Sequence, residues 1–292
     1  MATLRHWVQA ARPLAQANLA APLLLGQAFA YYATGRFDFR VLLALALWGV
    51  LDQLFIVFAN DVADREHDEG GEAKTLFSGG SGVLPEGKLT ASALLRGAFA
   101  AYALLGVLSL VLAAWRTPWA IAFWGAAGGL LWAYSFPPLR LSYRGGGELL
   151  QGVGVGVVLP LLGFAAQAGD LDAYPFPTLA ATGLLALAGN VATALPDHAA
   201  DRRADKRTWP VQMGRVRAAW ACLGVTLAAI YLAIATSPAR ESRGALAFAV
   251  LPLLVALALD VRRRRHVLGF VFAQGLATQA LWLGWAALLV WF

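Results

Sequence analysis

Residues 41–68 read VLLALALWGVLDQLFIVFANDVADREHD, an apolar run of about twenty residues that ends in a group of acids. An α-helix needs roughly 20 such residues to cross a bilayer. Asp61, Asp64 and Asp68 follow at spacings of three and four, which places them on one helical face. Like charges on one face repel each other, so we expect positive charge among them. Because Mg²⁺ prefers oxygen ligands, the stretch predicts a membrane helix that ends in a magnesium site.

A second acidic stretch follows another apolar run. Asp197, Asp201 and Asp205 are spaced four and four, which predicts a second shared helical face. Four basic residues lie beside them: Arg202, Arg203, Lys206 and Arg207. Mg²⁺ binds through a few carboxylates together with phosphate oxygens, so two such clusters indicate a site for a diphosphate bridged by metal. The alternative is that each cluster is a solvated helix end.

The composition is that of an integral membrane protein. The chain has 292 residues, of which 59% are hydrophobic and 14% charged, and its mean hydropathy is +0.62. Soluble domains are about a quarter charged. No segment is long and polar enough for a separate soluble domain, so residues 1–292 are expected to form one transmembrane domain. The partner implied is a lipid bilayer, and no nucleic acid is expected.

The apolar segments predict an all-α protein of transmembrane helices. Each segment is close to the roughly 20 residues that a bilayer requires. Nine spans are expected, at residues 13–34, 41–60, 91–114, 118–136, 148–168, 174–196, 216–235, 244–260 and 267–291.

The basic residues predict the orientation of these spans. If the N-terminus is cytoplasmic, 18 of the 23 basic residues lie on the cytoplasmic face and five on the other. This asymmetry follows the positive-inside rule. Both acidic clusters then face the cytoplasm, where Mg²⁺ and diphosphate esters are available. We expect a multi-pass protein of the inner (plasma) membrane with a cytoplasmic mouth to its site.

Other polar residues near the clusters are candidate substrate contacts. Lys74 opens a glycine-rich segment, and Arg140 and Arg144 follow the helix-ending Pro137 and Pro138, so these three residues are candidate phosphate cations. Ordinary positive-inside anchoring is the alternative for the two arginines. Asn60 and Asn190 are the remaining candidates and sit just before the two clusters. Their alternative role is interhelical hydrogen bonding.

These features together resemble the UbiA superfamily of intramembrane prenyltransferases. The resemblance covers nearly the whole chain and rests on Asn-Asp-x-x-Asp-x-x-x-Asp at 60–68 and Asp-x-x-x-Asp-x-x-x-Asp at 197–205. The segments 134–141, 143–148 and 205–208 look like the branch that includes 1,4-dihydroxy-2-naphthoate prenyltransferase of menaquinone synthesis. That branch usually has Gly where this chain has Asp205.

The resemblance implies a UbiA-like fold, in which the transmembrane helices surround a central cavity, and a Mg²⁺-dependent prenyltransferase. Asp61, Asp64, Asp68, Asp197 and Asp201 are expected to hold Mg²⁺, which grips the diphosphate of an isoprenyl diphosphate. Ionisation of the allylic C–O bond would then allow an aromatic acceptor to attack, 1,4-dihydroxy-2-naphthoate or a similar quinone precursor. The expected substrate contacts are Asn60, Lys74, Tyr134, Arg140, Arg144, Asn190, Asp205 and Lys206.

Two kinds of alternative remain open from the sequence. Within the family, the acceptor could be hydroxybenzoate, homogentisate or a glycerol phosphate. From another class, an ion-coupled transporter also carries intramembrane carboxylates, although these are expected near the middle of the bilayer and not at the ends of spans.

Overall fold

The computed structural model describes residues 3–68 and 80–291, the side chains of 66–68 excepted. All regular structure within these residues is helical, as predicted. Two 3₁₀ segments, Pro13–Gln16 and Arg243–Val250, precede α2 and α13, and a π-helical segment, Gly154–Val158, joins α7 to α8. The α-helices are α1 Leu4–Ala11, α2 Ala17–Thr34, α3 Phe39–Asp68, α4 Ala91–Trp115, α5 Trp119–Ser135, α6 Leu141–Arg144, α7 Gly147–Val153, α8 Leu159–Ala168, α9 Thr178–Ala194, α10 His198–Arg203, α11 Trp209–Met213, α12 Arg215–Thr236, α13 Leu251–Leu257 and α14 Arg264–Trp291.

Five helical segments in the described part of the chain are long and apolar enough to cross a membrane. They are Phe39–Arg65, Ala91–Trp115, Gly147–Ala168, Arg215–Thr236 and Arg264–Trp291. The predicted count of nine is therefore not confirmed. Among the other apolar segments, α9 is only 17 residues long and the eighth predicted span is divided between a 3₁₀ and an α segment.

The interior is built by helices that approach each other closely. α2 packs along α8, and a Cβ atom at Gly26 would lie 2.1 Å from the Pro160 carbonyl oxygen. In the same interface, a Cβ atom at Gly163 would lie 2.4 Å from the Leu23 carbonyl oxygen. Small residues allow such backbone contact between membrane helices. The α2–α8 pair therefore depends on glycine at both positions.

The site is positioned by helices α1, α3 and the short helices between the spans. α1 packs against α3, where Trp7 and Phe58 form an edge-to-face pair with ring centroids 5.5 Å apart. This contact holds the end of α1 beside the acidic end of α3. α6 lies after α5, and α10 and α11 follow α9.

Candidate functional site

Asp61, at the C-terminal end of α3, is buried, with 3% of its surface exposed. One carboxylate oxygen accepts a hydrogen bond from Arg12 and one from the Ser81 backbone N–H at 3.3 Å. The other oxygen accepts the Ser81 hydroxyl. Arg12 caps α1 in a left-handed conformation, with φ of 45°. A buried carboxylate requires such partners, because an uncompensated buried charge is costly.

Asp64 lies one turn further along α3 and is also buried. Its Oδ2 atom is 2.9 Å from Lys206 Nζ, which donates to it. Its Oδ1 atom accepts the Tyr143 hydroxyl at 2.8 Å, and Asn60 Nδ2 lies 3.4 Å from Oδ2. The positive charge expected among the carboxylates of α3 is therefore supplied, in the described structure, by Arg12 and Lys206.

Tyr143 in α6 connects the two acidic stretches. Its backbone carbonyl accepts the Arg207 N–H at 3.1 Å, while its hydroxyl reaches Asp64. Its ring lies beneath two cations, with the Arg140 guanidinium carbon 3.7 Å and Lys206 Nζ 4.9 Å from the centroid. Such cation–π contacts orient the charges as well as stabilising them. Arg140 also donates to the Ala63 carbonyl at 3.3 Å.

Asp201, in α10, is buried and bonded to Thr208, whose hydroxyl donates to Oδ2 at 3.1 Å. The Lys206 backbone N–H donates to the Asp201 carbonyl at 2.9 Å. Burial raises the pKa of Asp201 to about 7, and the negative charges of Asp197 and Asp64 add to this, whereas Lys206 and Thr208 oppose it. Lys206, which follows α10, donates to Asp64 of α3, so the two acidic stretches lie beside each other.

The prediction of one helical face for Asp197, Asp201 and Asp205 is wrong at Asp205. Asp197 caps α10, which ends at Arg203, and Asp205 lies beyond it, exposed, with a left-handed φ of 53°. Glycine adopts this conformation without steric cost, and Asp tolerates it better than most residues.

The other predicted contacts divide into those that join the cluster and those that do not. Asn60 accepts the Ser135 hydroxyl at 3.1 Å and so ties α3 to α5 beside Asp64. Tyr134 is half-buried, and its carbonyl accepts the Ser142 hydroxyl at 2.8 Å, next to Tyr143. Arg144 is exposed at the end of α6. The contact described for Asn190 stays within α9, where its carbonyl accepts the Thr193 hydroxyl.

Two predicted residues are not tested by the geometry. Lys74 lies outside the described residues, and the side chain of Asp68, the last residue of α3, is not described.

Within residues 3–65 and 80–291, no three acidic, His or Cys side chains are grouped closely enough to hold a metal ion. The buried carboxylate oxygens of Asp61, Asp64 and Asp201 still suit Mg²⁺ by their chemistry, because hard cations bind carboxylates.

Sequence reasoning missed four residues that hold the acids in place: Arg12, Ser81, Tyr143 and Thr208. Tyr143 stands in the segment 143–148, which already carried the family resemblance, and that was the available signal for it. Ser81 and Thr208 gave no local signal, because a hydroxyl in a polar segment is compatible with many roles.

Comparison with known proteins identifies the family of the chain. The model of the UbiA prenyltransferase family matches residues 19–267. The 1,4-dihydroxy-2-naphthoate octaprenyltransferase of Mycobacterium tuberculosis is 32% identical over 219 residues, which cover 74% of this chain and 73% of the relative. The protein of the same name from Mycobacterium leprae is 28% identical over 216 residues, 73% of this chain and 71% of the relative.

Solved structures show the same fold at low sequence identity. A UbiA homolog from Archaeoglobus fulgidus, bound to DMAPP and Mg²⁺, superposes with a TM-score of 0.67 at 18% identity, covering 97% of this chain and 98% of that one. A UbiA homolog from Aeropyrum pernix K1 gives 0.66 at 18% identity, with 93% and 96% covered. The sequence match over most of its length and the shared fold lead to one conclusion: the chain belongs to the UbiA prenyltransferase family.

Proposed function

We propose that this protein transfers a polyprenyl group from an isoprenyl diphosphate to an aromatic acceptor, 1,4-dihydroxy-2-naphthoate. One observation supports the proposal most directly: Lys206, from the second acidic stretch, donates a hydrogen bond to Asp64 of the first, which brings the two stretches side by side. The names of the two mycobacterial relatives support the choice of acceptor. The Archaeoglobus homolog, whose fold this chain shares, was solved with DMAPP and Mg²⁺.

The proposed metal ligands are the carboxylates of Asp61, Asp64, Asp68, Asp197 and Asp201. Bound there, Mg²⁺ would neutralise charge on the diphosphate oxygens and so make the diphosphate a better leaving group. Arg12 and Lys206 now neutralise Asp61 and Asp64. Both cations therefore already lie beside two of the proposed metal ligands, next to where the diphosphate would bind.

The cations of the chain bind and orient the diphosphate in this proposal. Lys206, Arg140, Arg144 and Lys74 contact its oxygens, and the Tyr143 ring keeps Arg140 and Lys206 on the same side. Preorganised charges of this kind stabilise a leaving group without the cost of reorganisation. Asn60 and Asn190 are proposed polar contacts. Asp205 completes the set, and because it is exposed its contribution is expected to be the smallest.

The apolar interior provides the remaining chemistry. The Tyr134 ring is proposed to face the allylic carbon, where its π electrons would stabilise a developing cation. The surrounding helices exclude water, which would otherwise capture that cation. They also accommodate the polyprenyl tail, which explains why the reaction takes place in a membrane.

The proposed topology has nine crossings within one domain, residues 1–292. Four apolar segments in the described part of the chain would add to the five long helices: residues 13–34, α5, α9 and residues 243–257. The N-terminus and the site are proposed to face the cytoplasm, in the plasma membrane. The positive-inside asymmetry of the basic residues supports this orientation.

The test is a product assay with purified protein, Mg²⁺ and geranylgeranyl diphosphate. The acceptors offered in parallel are 1,4-dihydroxy-2-naphthoate, hydroxybenzoate, homogentisate and a glycerol phosphate. We expect prenylated naphthoate, with loss of product in Asp64→Ala and in Asp201→Ala. Efficient prenylation of another acceptor and none of naphthoate would overturn the acceptor assignment. Solute flux in vesicles without diphosphate release would overturn the enzyme assignment in favour of a transporter.

A further inference from the structure

A groove of about 380 Å³ lies between α12 and α14, apart from the carboxylate site. Its floor is apolar and is formed by Ala219 and Leu223 of α12 and by Phe270 of α14. The end of α13 and residues 258–262 close it on one side. The volume falls within the range of about 300–1,000 Å³ that is typical of small-molecule sites.

The sides of the groove face the surroundings of the protein. Trp220, which lines it, is 61% exposed, and Leu257 on the opposite side is 48% exposed. In a membrane protein, exposed apolar side chains of this kind contact lipid chains. The open side of the groove therefore has the apolar character that contact with lipid chains requires.

One end of the groove is strongly basic. Arg262 lines it, and the run Arg262–Arg265 is exposed throughout, as is Arg217 on α12. Asp260 is the acid at this rim: its Oδ1 accepts the Arg262 backbone N–H at 3.1 Å, and its Oδ2 lies 3.7 Å from Arg263 Nε. The Asp260–Arg263 pair is 43% and 61% exposed. Such exposed pairs are weak, so Arg263 stays available to another anion.

We propose that this groove binds an anionic phospholipid. Its phosphate lies on Arg262 and Arg263, and an acyl chain lies against Trp220 and Leu257. The basic rim and the apolar floor together favour a ligand that is both anionic and amphipathic. A free phosphate would use only the basic rim, and a zwitterionic lipid would gain less from it. Basic residues next to a membrane span attract anionic lipid by about 1 kcal/mol each.

The experiment is native mass spectrometry of the purified protein in neutral detergent. The protein is titrated with phosphatidylglycerol or with phosphatidylcholine of matched chains. We expect retained phosphatidylglycerol, and weaker binding by roughly ten- to thirtyfold in Arg262→Gln/Arg263→Gln. The matched control, Arg5→Gln/Arg96→Gln, removes two exposed basic residues elsewhere on the same proposed face and is expected to bind as the parent does.

Two further variants separate a lipid site from a simple basic patch. Ala258 is exposed at the groove, so Ala258→Trp fills it and is expected to displace the lipid, whereas Ala100→Trp on α4, also exposed, is not. Asp260→Asn removes the acid at the rim and is expected to strengthen binding without removing any arginine.

Three results would overturn the proposal. The first is equal retention of phosphatidylglycerol by the parent and by Arg262→Gln/Arg263→Gln. The second is equal retention of phosphatidylcholine and phosphatidylglycerol. The third is full displacement by inorganic phosphate together with normal binding in Ala258→Trp, which would leave a site for small anions only.

Discussion

Lys206 Nζ lies 2.9 Å from Asp64 Oδ2, although 142 residues separate the two in sequence. Both side chains are largely shielded, with 17% and 11% of their surfaces exposed. Shielded charge pairs are screened less by solvent than surface pairs. The contact fixes the position of the second acidic stretch against α3, and the proposed chemistry depends on it.

Replacement of Lys206 by Met is expected to lower prenyl transfer by about two orders of magnitude, because a catalytic charge is lost and Asp64 loses its cation. The measurement is the initial rate at saturating Mg²⁺. Lys88→Met is the matched control, since Lys88 pairs with Glu86 at a surface where both side chains are more than a third exposed. Equal rates for the two variants would contradict the role of Lys206.

Tyr143→Phe removes the hydroxyl that donates to Asp64 and keeps the ring beneath Arg140 and Lys206. A hydrogen bond to a charged group contributes about 1.5–3 kcal/mol, so we expect roughly a tenfold or greater loss of kcat/KM for the diphosphate. Tyr143→Leu, which also removes the ring, is expected to lose more. If Tyr143→Leu were as active as Tyr143→Phe, the cation–π contacts would have no part in binding.

Asp205→Gly is expected to stabilise the protein by about 0.5–1 kcal/mol, because φ at this position is 53° and glycine adopts it freely. Thermal unfolding in detergent measures the effect, and activity should fall by less than about threefold, since Asp205 is exposed. Asp205→Val is the opposite control and is expected to destabilise. A large loss of activity in Asp205→Gly would show instead that this carboxylate binds substrate.

Gly26→Ala is expected to destabilise by about 1–3 kcal/mol, because its new Cβ atom would meet the backbone of Pro160 at 2.1 Å. The control is Gly189→Ala in α9, where no atom lies within 4 Å of the new Cβ and where helix propensity favours alanine. The midpoint of thermal unfolding compares them. A Gly26→Ala protein as stable as Gly189→Ala would mean that α2 and α8 are less tightly packed.

Local patterns predicted the part of the site that a single helix builds. The apolar run from residue 41 and the acids that follow it form one continuous helix, α3, so the shared face of Asp61 and Asp64 could be derived from spacing. The second stretch could not be derived in this way. Pro196 precedes α10, which has only six residues, and backbone conformation turns Asp205 away from its face.

The contacts that join distant segments were beyond the sequence pattern. Arg12 and Asp61 are 49 residues apart, and only the packing of α1 on α3 brings them together. The number of membrane crossings was also uncertain for a physical reason. α9 is apolar but, with 17 residues, is shorter than the roughly 20 residues typical of a bilayer-spanning helix, so hydropathy and helix length give different counts of crossings.

The most direct test of the central claim is a double-mutant cycle on Mg²⁺-dependent binding of a non-reactive isoprenyl diphosphate analogue. Isothermal titration compares the parent with Asp64→Asn, Asp201→Asn and the double variant. If the two acidic stretches form one site, each single substitution is expected to remove most of the affinity and the double variant to lose little more. Simple addition of the two losses, or normal binding by either single variant, would contradict the account.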